Sequence, residues 1–276
     1  MSDQSLASTL RATLSMYDME GPVREANDRL WTALAQRLRK GGLSVSDALD
    51  RKSHYHAVWS EPDLIFSQTC GYPYVMELRD RVRLVATPIY EFKGGEGTER
   101  ASFVIAHEAH PGRTLEDFRG RRAAINDWMS NSGMNLFRAA LAPLAKGQPF
   151  LGSIMVSGGH VASIDAVRDG LAEIASVDTV TWGLLEKHAP ERLAGVRIVA
   201  ETPRGPGLPF ITRGATSDEE LALIQSALAD VIGDSANAAI LAALGLKGVA
   251  ILTDGDYQRL DDFRRQAEEQ GYPTLA

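Results

Sequence analysis

Leu10, Ala12, Leu14 and Met16 alternate with more polar neighbours, the two-residue period of a strand, and the run stops at Tyr17-Asp18 ahead of Gly21-Pro22. This predicts a first strand that delivers Tyr17 to a loop. Pro22 opens a segment in which Ala26, Leu30, Leu34 and Leu38 recur at every fourth position, and Gly41-Gly42 stops it as a C-terminal cap does. A helix is expected there. An apolar run at 63–66, a helical segment from about Gly71 and a strand at 82–87 closed by Pro88 complete a strand–helix–strand pattern. The stretch Gly94-Gly95-Glu96-Gly97 is turn-like, and the apolar run 102–106 after it starts a second region. Strands at 121–126, 150–157 and 174–178 alternate with helices at 131–145 and 160–172, a rhythm that favours a mostly parallel sheet covered by helices. After the Pro/Gly-rich stretch 202–207 come a strand at 208–212 and helices from Asp218.

The expected architecture is therefore α/β with two lobes and a ligand cleft between them. Residues 1–97 and 207–276 form lobe 1 and residues 98–206 form lobe 2, with crossovers near 97–103 and 198–207. The length of 276 residues and the 44% hydrophobic content suit either two lobes or one large α/β domain.

Charge narrows the list of partners. With 29 Lys+Arg against 36 Asp+Glu the net charge is −7, so the chain lacks the basic footprint that nucleic acid or anionic lipid requires, and an anion must be held by a local site. One cysteine, Cys70, excludes an internal disulfide and a Cys-rich zinc site. The opening residues 1–6 carry neither a basic nor an apolar leader, and no later stretch is a bilayer-length apolar run. As written the chain reads as cytoplasmic, without membrane insertion; a lost leader would place it in the periplasm.

Four strand-to-helix junctions carry candidate chemistry. In Ser130-Asn131-Ser132-Gly133, hydroxyl, amide and backbone N–H donors gather at a helix start, which suits an anion; ordinary N-capping is the competing reading. Ser157-Gly158-Gly159-His160 allows close backbone approach and puts His160 at another helix start, where a turn with a half-exposed histidine is the alternative. Gln68, Thr69, Tyr72 and Tyr74 surround a third polar turn, and its Cys70 reads as structural, since no base and acid accompany it as they would a nucleophile. Asp178 ends an apolar strand and either accepts from a ligand or caps the next helix. His54/His56 and His107/His110 lack the helical spacing of a metal pair, and 94–97 lacks the Gly-Lys-Ser/Thr ending of a nucleotide loop, so no metal and no cofactor is expected.

These segments, with Ser15-Met16-Tyr17-Asp18 and Ser67-Gln68-Thr69-Cys70-Gly71-Tyr72-Pro73, resemble the phosphate and phosphonate substrate-binding proteins of ABC transporters, in the type 2 periplasmic-binding-protein superfamily. The resemblance implies a cradle for the oxyanion at Ser130, Asn131, Ser132 and Gly133. It also implies Asp178 as an acid that binds a ligand's amino group, Tyr17 at the first loop, and a transporter permease as partner. The family cradle usually reads Ser-Thr-Ser-Gly, so Asn131 puts an amide where a hydroxyl is usual. The expected ligand set is Tyr17, Gln68, Thr69 and Tyr74 with Ser130–Gly133, His160 and Asp178, closing on a small phosphonate or phosphate ester without catalysis. A cytoplasmic enzyme or a ligand sensor on the same fold is the alternative.

Overall fold

A computed structural model of the chain describes residues 9–276; the leader reading at 1–6 lies outside them. The chain forms two units, and passes between them repeatedly. The first holds the residues up to Thr69, Glu77–Ile89 and Leu208–Leu252; the second holds Cys70–Met76, Tyr90–Gly207 and Thr253–Ala276.

In the first unit the four-residue apolar repeat becomes the helix Pro22–Lys40, with Pro22 in the first turn, where a missing N–H costs nothing. It buries Ala26, Leu30, Leu34 and Leu38, each leucine contributing about 1.5–3 kcal/mol by leaving water. A five-stranded sheet runs in the spatial order Arg11–Thr13, Leu64–Gln68, Phe210–Arg213, Val82–Tyr90 and Leu246–Ala250. Trp31 of the helix stacks on Phe66, and Phe66 packs at a tilt against Phe210. The strand predicted to stop at Pro88 runs on to Tyr90. Its pairing with Phe210–Arg213 involves only Val82 to Ala86, so that neighbour asks no N–H of Pro88.

The second unit has its own five-stranded sheet, in the order Val196–Glu201, Ser102–His107, Ile174–Asp178, Arg122–Ile125 and Ser153–Val156. Its last three strands are mutually parallel, as the helical crossovers predict, but Ser102–His107 is antiparallel to both of its neighbours. In the first sheet, too, Phe210–Arg213 runs antiparallel to both neighbours. Each sheet is therefore mixed rather than mostly parallel. The reason is connectivity: both strands follow the ribbon segments Glu99–Arg100 and Gly205–Pro206 rather than a covering helix, so no helical crossover dictates a parallel direction.

Phe137, Leu141 and Ala145 of the helix Leu136–Ala145 pack with Val104, Ala106, Ala123 and Ile125 of the sheet to form the second core. The Gly-rich stretch is a small ribbon, Gly95–Glu96 with Glu99–Arg100 and Gly205–Pro206.

The segments 70–76 and 253–276 lie with the second unit, whereas the sequence reading had them with the first. The C-terminal helix Asp254–Glu269 buries Tyr257, Leu260 and Ala267 and packs on Leu136–Ala145. Its apolar repeat fixes that it has a buried face but not which core covers that face.

Candidate functional site

The parallel strands of the second unit end at Ile125, Val156 and Asp178, the first two handing the chain to Asn126 and Ser157, and Ser102, opposite Asp178, begins the antiparallel strand at the same end of the sheet. Carboxyl ends of strands are where open α/β sheets present ligand groups.

At the first of these ends, Ser130 keeps an extended backbone while its Oγ accepts the Gly133 N–H at 2.9 Å, an N-cap. The predicted capping and the donor-rich turn thus coexist in one segment. Asn131–Asn135 is wound one residue wider than an α-helix: Asn135 N–H reaches Ser130 O, and Leu136 N–H reaches Asn131 O. Such i→i+5 winding leaves five leading N–H groups, rather than four, without intrahelical partners, and is common at functional sites. The Asn131 N–H points to Cys70 Sγ at 3.2 Å. A side chain on Gly133 would put its Cβ 1.8 Å from Asn126 Oδ1 and 3.3 Å from the His160 ring, so the turn closes this tightly only around glycine.

The second end supplies His160, first residue of the helix His160–Arg168, after Gly158 in a left-handed conformation (φ 87°). Its Nε2 lies 2.8 Å from Ser132 Oγ, and its Nδ1 is buried without a hydrogen-bond partner among the described residues. Burial pushes its pKa below the ordinary value of 6.5, opposed by the Asp178 carboxylate and the Ser176 backbone, so the ring is held neutral. Ser176 Oγ donates to Ser132 O at 2.7 Å and fixes the turn from the third strand. Asp178 Oδ1 accepts the Val180 and Thr181 N–H groups at 2.8 and 2.9 Å, the capping reading of this residue. Burial, with Asp178 adding to it, pushes the Cys70 thiol up, which keeps it a thiol rather than a nucleophilic thiolate.

The structure brings Ser130, Asn131, Ser132, Gly133, His160 and Asp178 together. Tyr74 belongs to the same unit, but its hydroxyl bonds the Asp254 carboxylate and its ring packs edge-on against Tyr257. Tyr17, Gln68 and Thr69 belong to the first unit. There Tyr17 O accepts from Asn27, Gln68 Nε2 donates to Leu208 O at 3.1 Å, and the Thr69 N–H reaches Pro209 O. Asn126, Ser176 and Ser102 lie beside these residues, although none of them was in the ligand set expected from the sequence. Asn126 Oδ1 and Ser102 Oγ are buried with no hydrogen-bond partner among the described residues. Strand-end position marks Asn126 and the i, i+2 relation to Asp178 marks Ser176, whereas nothing local marks Ser102.

Two α/β units with mixed sheets, traversed several times by one chain, and a donor-lined helix start at the strand ends of one unit are the make-up of a solute-binding protein. Residues 62–257 match the family of periplasmic substrate-binding proteins of phosphonate ABC transporters, and the chain belongs to that family. No curated protein sequence matches it. Among solved structures it is similar to PhnD1 from Prochlorococcus marinus in complex with methylphosphonate (TM-score 0.76, 15% identity, 95% of this chain and 98% of that one). A binding-protein component of a phosphonate ABC transporter from Pseudomonas aeruginosa is alike at TM-score 0.75 and 16% identity, over 95% and 87% of the two chains. A Xanthomonas citri protein bound to ATP is similar at TM-score 0.71 and 16% identity, over 95% and 98%. At these identities the likeness bears on the fold.

Proposed function

We propose that this chain binds a small phosphorus oxyanion, a phosphonate or a phosphate ester, for uptake, and that it releases the ligand chemically unchanged. The observation that carries this reading is the widened helix start at 130–135, where hydroxyl, amide and backbone N–H donors gather beside a neutral histidine. Such donors at the positive end of a helix suit an anion without needing a net positive surface. Family membership supports the same reading, and with it a transporter permease as partner and the periplasm as the family's usual place. Burial pushes the Cys70 thiol up, which suits a structural thiol better than a nucleophile for acyl transfer.

The test is a thermal-shift and calorimetric screen with methylphosphonate, inorganic phosphate, a phosphomonoester, sulfate and small carboxylates. A ligand bound only by the folded state raises apparent stability by about 2.7 kcal/mol at a hundredfold excess over Kd. Phosphorus oxyanions are expected to shift the melt, and Ser132→Ala to weaken binding by roughly tenfold, the worth of one hydrogen bond to a charged group. A shift confined to carboxylates, or an undiminished response in Ser132→Ala, overturns the reading. Tyr17→Phe, Gln68→Ala and Thr69→Ala, measured in the same way, report on the first unit's candidates.

A further inference from the structure

Asn131 is an amide in a cradle otherwise made of hydroxyls and backbone N–H groups, and a free amide can offer an anion either its NH2 donor or its carbonyl acceptor. Which end it offers is decided by Asn135, four residues on, and through it by Arg138. Arg138 is buried on the first turn of the helix Leu136–Ala145, and its terminal nitrogens go to neutral acceptors, Pro273 O at 2.8 Å and Asn135 Oδ1 at 2.8 Å. A guanidinium only donates, so the Asn135 atom facing it must be the carbonyl oxygen. The other end of Asn135 faces Leu260 O at 2.9 Å, an atom that only accepts, which independently makes that end the NH2 group. Its second hydrogen goes to Asn131 at 3.1 Å, and the Asn131 atom receiving it must be Oδ1. The carbonyl of Asn131 is thereby held towards Asn135, and its Nδ2 is left as a donor with no partner among the described residues.

We propose that Arg138 and Asn135 are positioning residues for the oxyanion site, a buried relay that locks Asn131 into donor polarity. The inference rests on the anion-binding reading given above. A cradle hydroxyl can rotate to donate or accept as the ligand requires, whereas an amide is useful only if it is fixed the right way round. A wrongly turned carbonyl would face the anion and repel it. The charge on Arg138 strengthens its bond to Asn135, the bond that sets the direction of the relay.

Asn135→Asp reverses the relay with almost no change of shape. The new carboxylate pairs with Arg138 and accepts from Asn131, which turns the Asn131 carbonyl towards the cradle. Calorimetry with methylphosphonate should show a loss of about a hundredfold, equivalent to roughly 2.7 kcal/mol. Asn131→Ser on top of Asn135→Asp should bring affinity back to within a few-fold of Asn131→Ser alone, because a hydroxyl is not locked by residue 135. An added negative charge, or a merely structural role for Asn135, predicts no such recovery, and a double variant as weak as Asn135→Asp overturns the proposal. Nuclear magnetic resonance of the unliganded wild-type protein gives a second readout that does not depend on folding of the variant. Both carboxamide protons of Asn135 should exchange slowly and do so faster in Arg138→Gln; rapid exchange in the wild type also overturns the relay. Slow exchange in a wild-type protein that binds neither methylphosphonate nor inorganic phosphate would sink the functional reading while the relay stood.

Discussion

One oxygen of Asp178 holds the N–H groups of Val180 and Thr181, so this side chain first of all starts a helix. Its charge still acts on its neighbours, opposing the burial that lowers the His160 pKa and adding to the burial that raises the Cys70 thiol. The sequence left both roles of Asp178 open because a strand-end acid reads identically as cap or as ligand. For Tyr74, reading the chain could not supply the partner that the structure gives its hydroxyl, Asp254, which lies 180 residues away. His160 makes a testable case at this scale. Its folded pKa lies below the 6.5 of the unfolded chain, so below pH 6.5 the unfolded state binds more protons and stability rises with pH. Stability is therefore lost as pH falls from 6.5 towards the depressed folded value. Denaturant melts across this range should show a shallower loss in His160→Gln than in the wild type, and parallel profiles would show that the ring does not titrate as described.

Helix starts recur as the element that organises this protein, and they were the most legible features in the sequence. Pro22 at the head of its helix and the turn at Ser130–Gly133 are local signals, carried by residues within a few positions of one another. Ser217 and Glu220 form a reciprocal cap at the head of the helix Asp218–Gly233: Ser217 Oγ accepts the Glu220 N–H at 3.1 Å, and the Glu220 carboxylate accepts the Ser217 N–H at 3.2 Å. Ser217→Ala should cost about 1 kcal/mol in chemical denaturation and leave affinity for methylphosphonate unchanged, since Ser217 is not among the candidate ligand residues. Unchanged stability would show that the cap is idle. The strands Val196–Glu201 and Leu246–Ala250 were missed for identifiable reasons. The first runs up against the Pro/Gly-rich stretch and was absorbed into a crossover. The second carries Gly248 in its middle, which dilutes the β signal.

At the scale of the molecule, the second unit is assembled from three separate stretches of chain, and the last of them closes it. Besides Tyr257, Leu260 and Ala267, residues 270–276 contribute Tyr272 and Leu275 to the core, and Ala276 O accepts the Phe150 and Leu151 N–H groups at 2.7 and 2.8 Å. Removal of 253–276 should abolish cooperative unfolding of the second unit, followed by tryptophan fluorescence of Trp128 and Trp182, and abolish oxyanion binding with it. A truncated chain that melts and binds as the full one does would refute this account of the core. The physical division follows from range. Patterns with periods of two and four residues, glycine and proline at turns, and polar residues at helix starts act over a few positions. The sequence by itself therefore determined most of the elements, the α/β class and the helix start at Ser130–Gly133 through which the family is recognisable. Direction in the two crossing strands, the unit to which 70–76 and 253–276 belong, and the polarity of Asn131 depend on partners far along the chain, Leu260 being 125 residues from Asn135. No local pattern encodes such a pairing, and only the tertiary structure decided it.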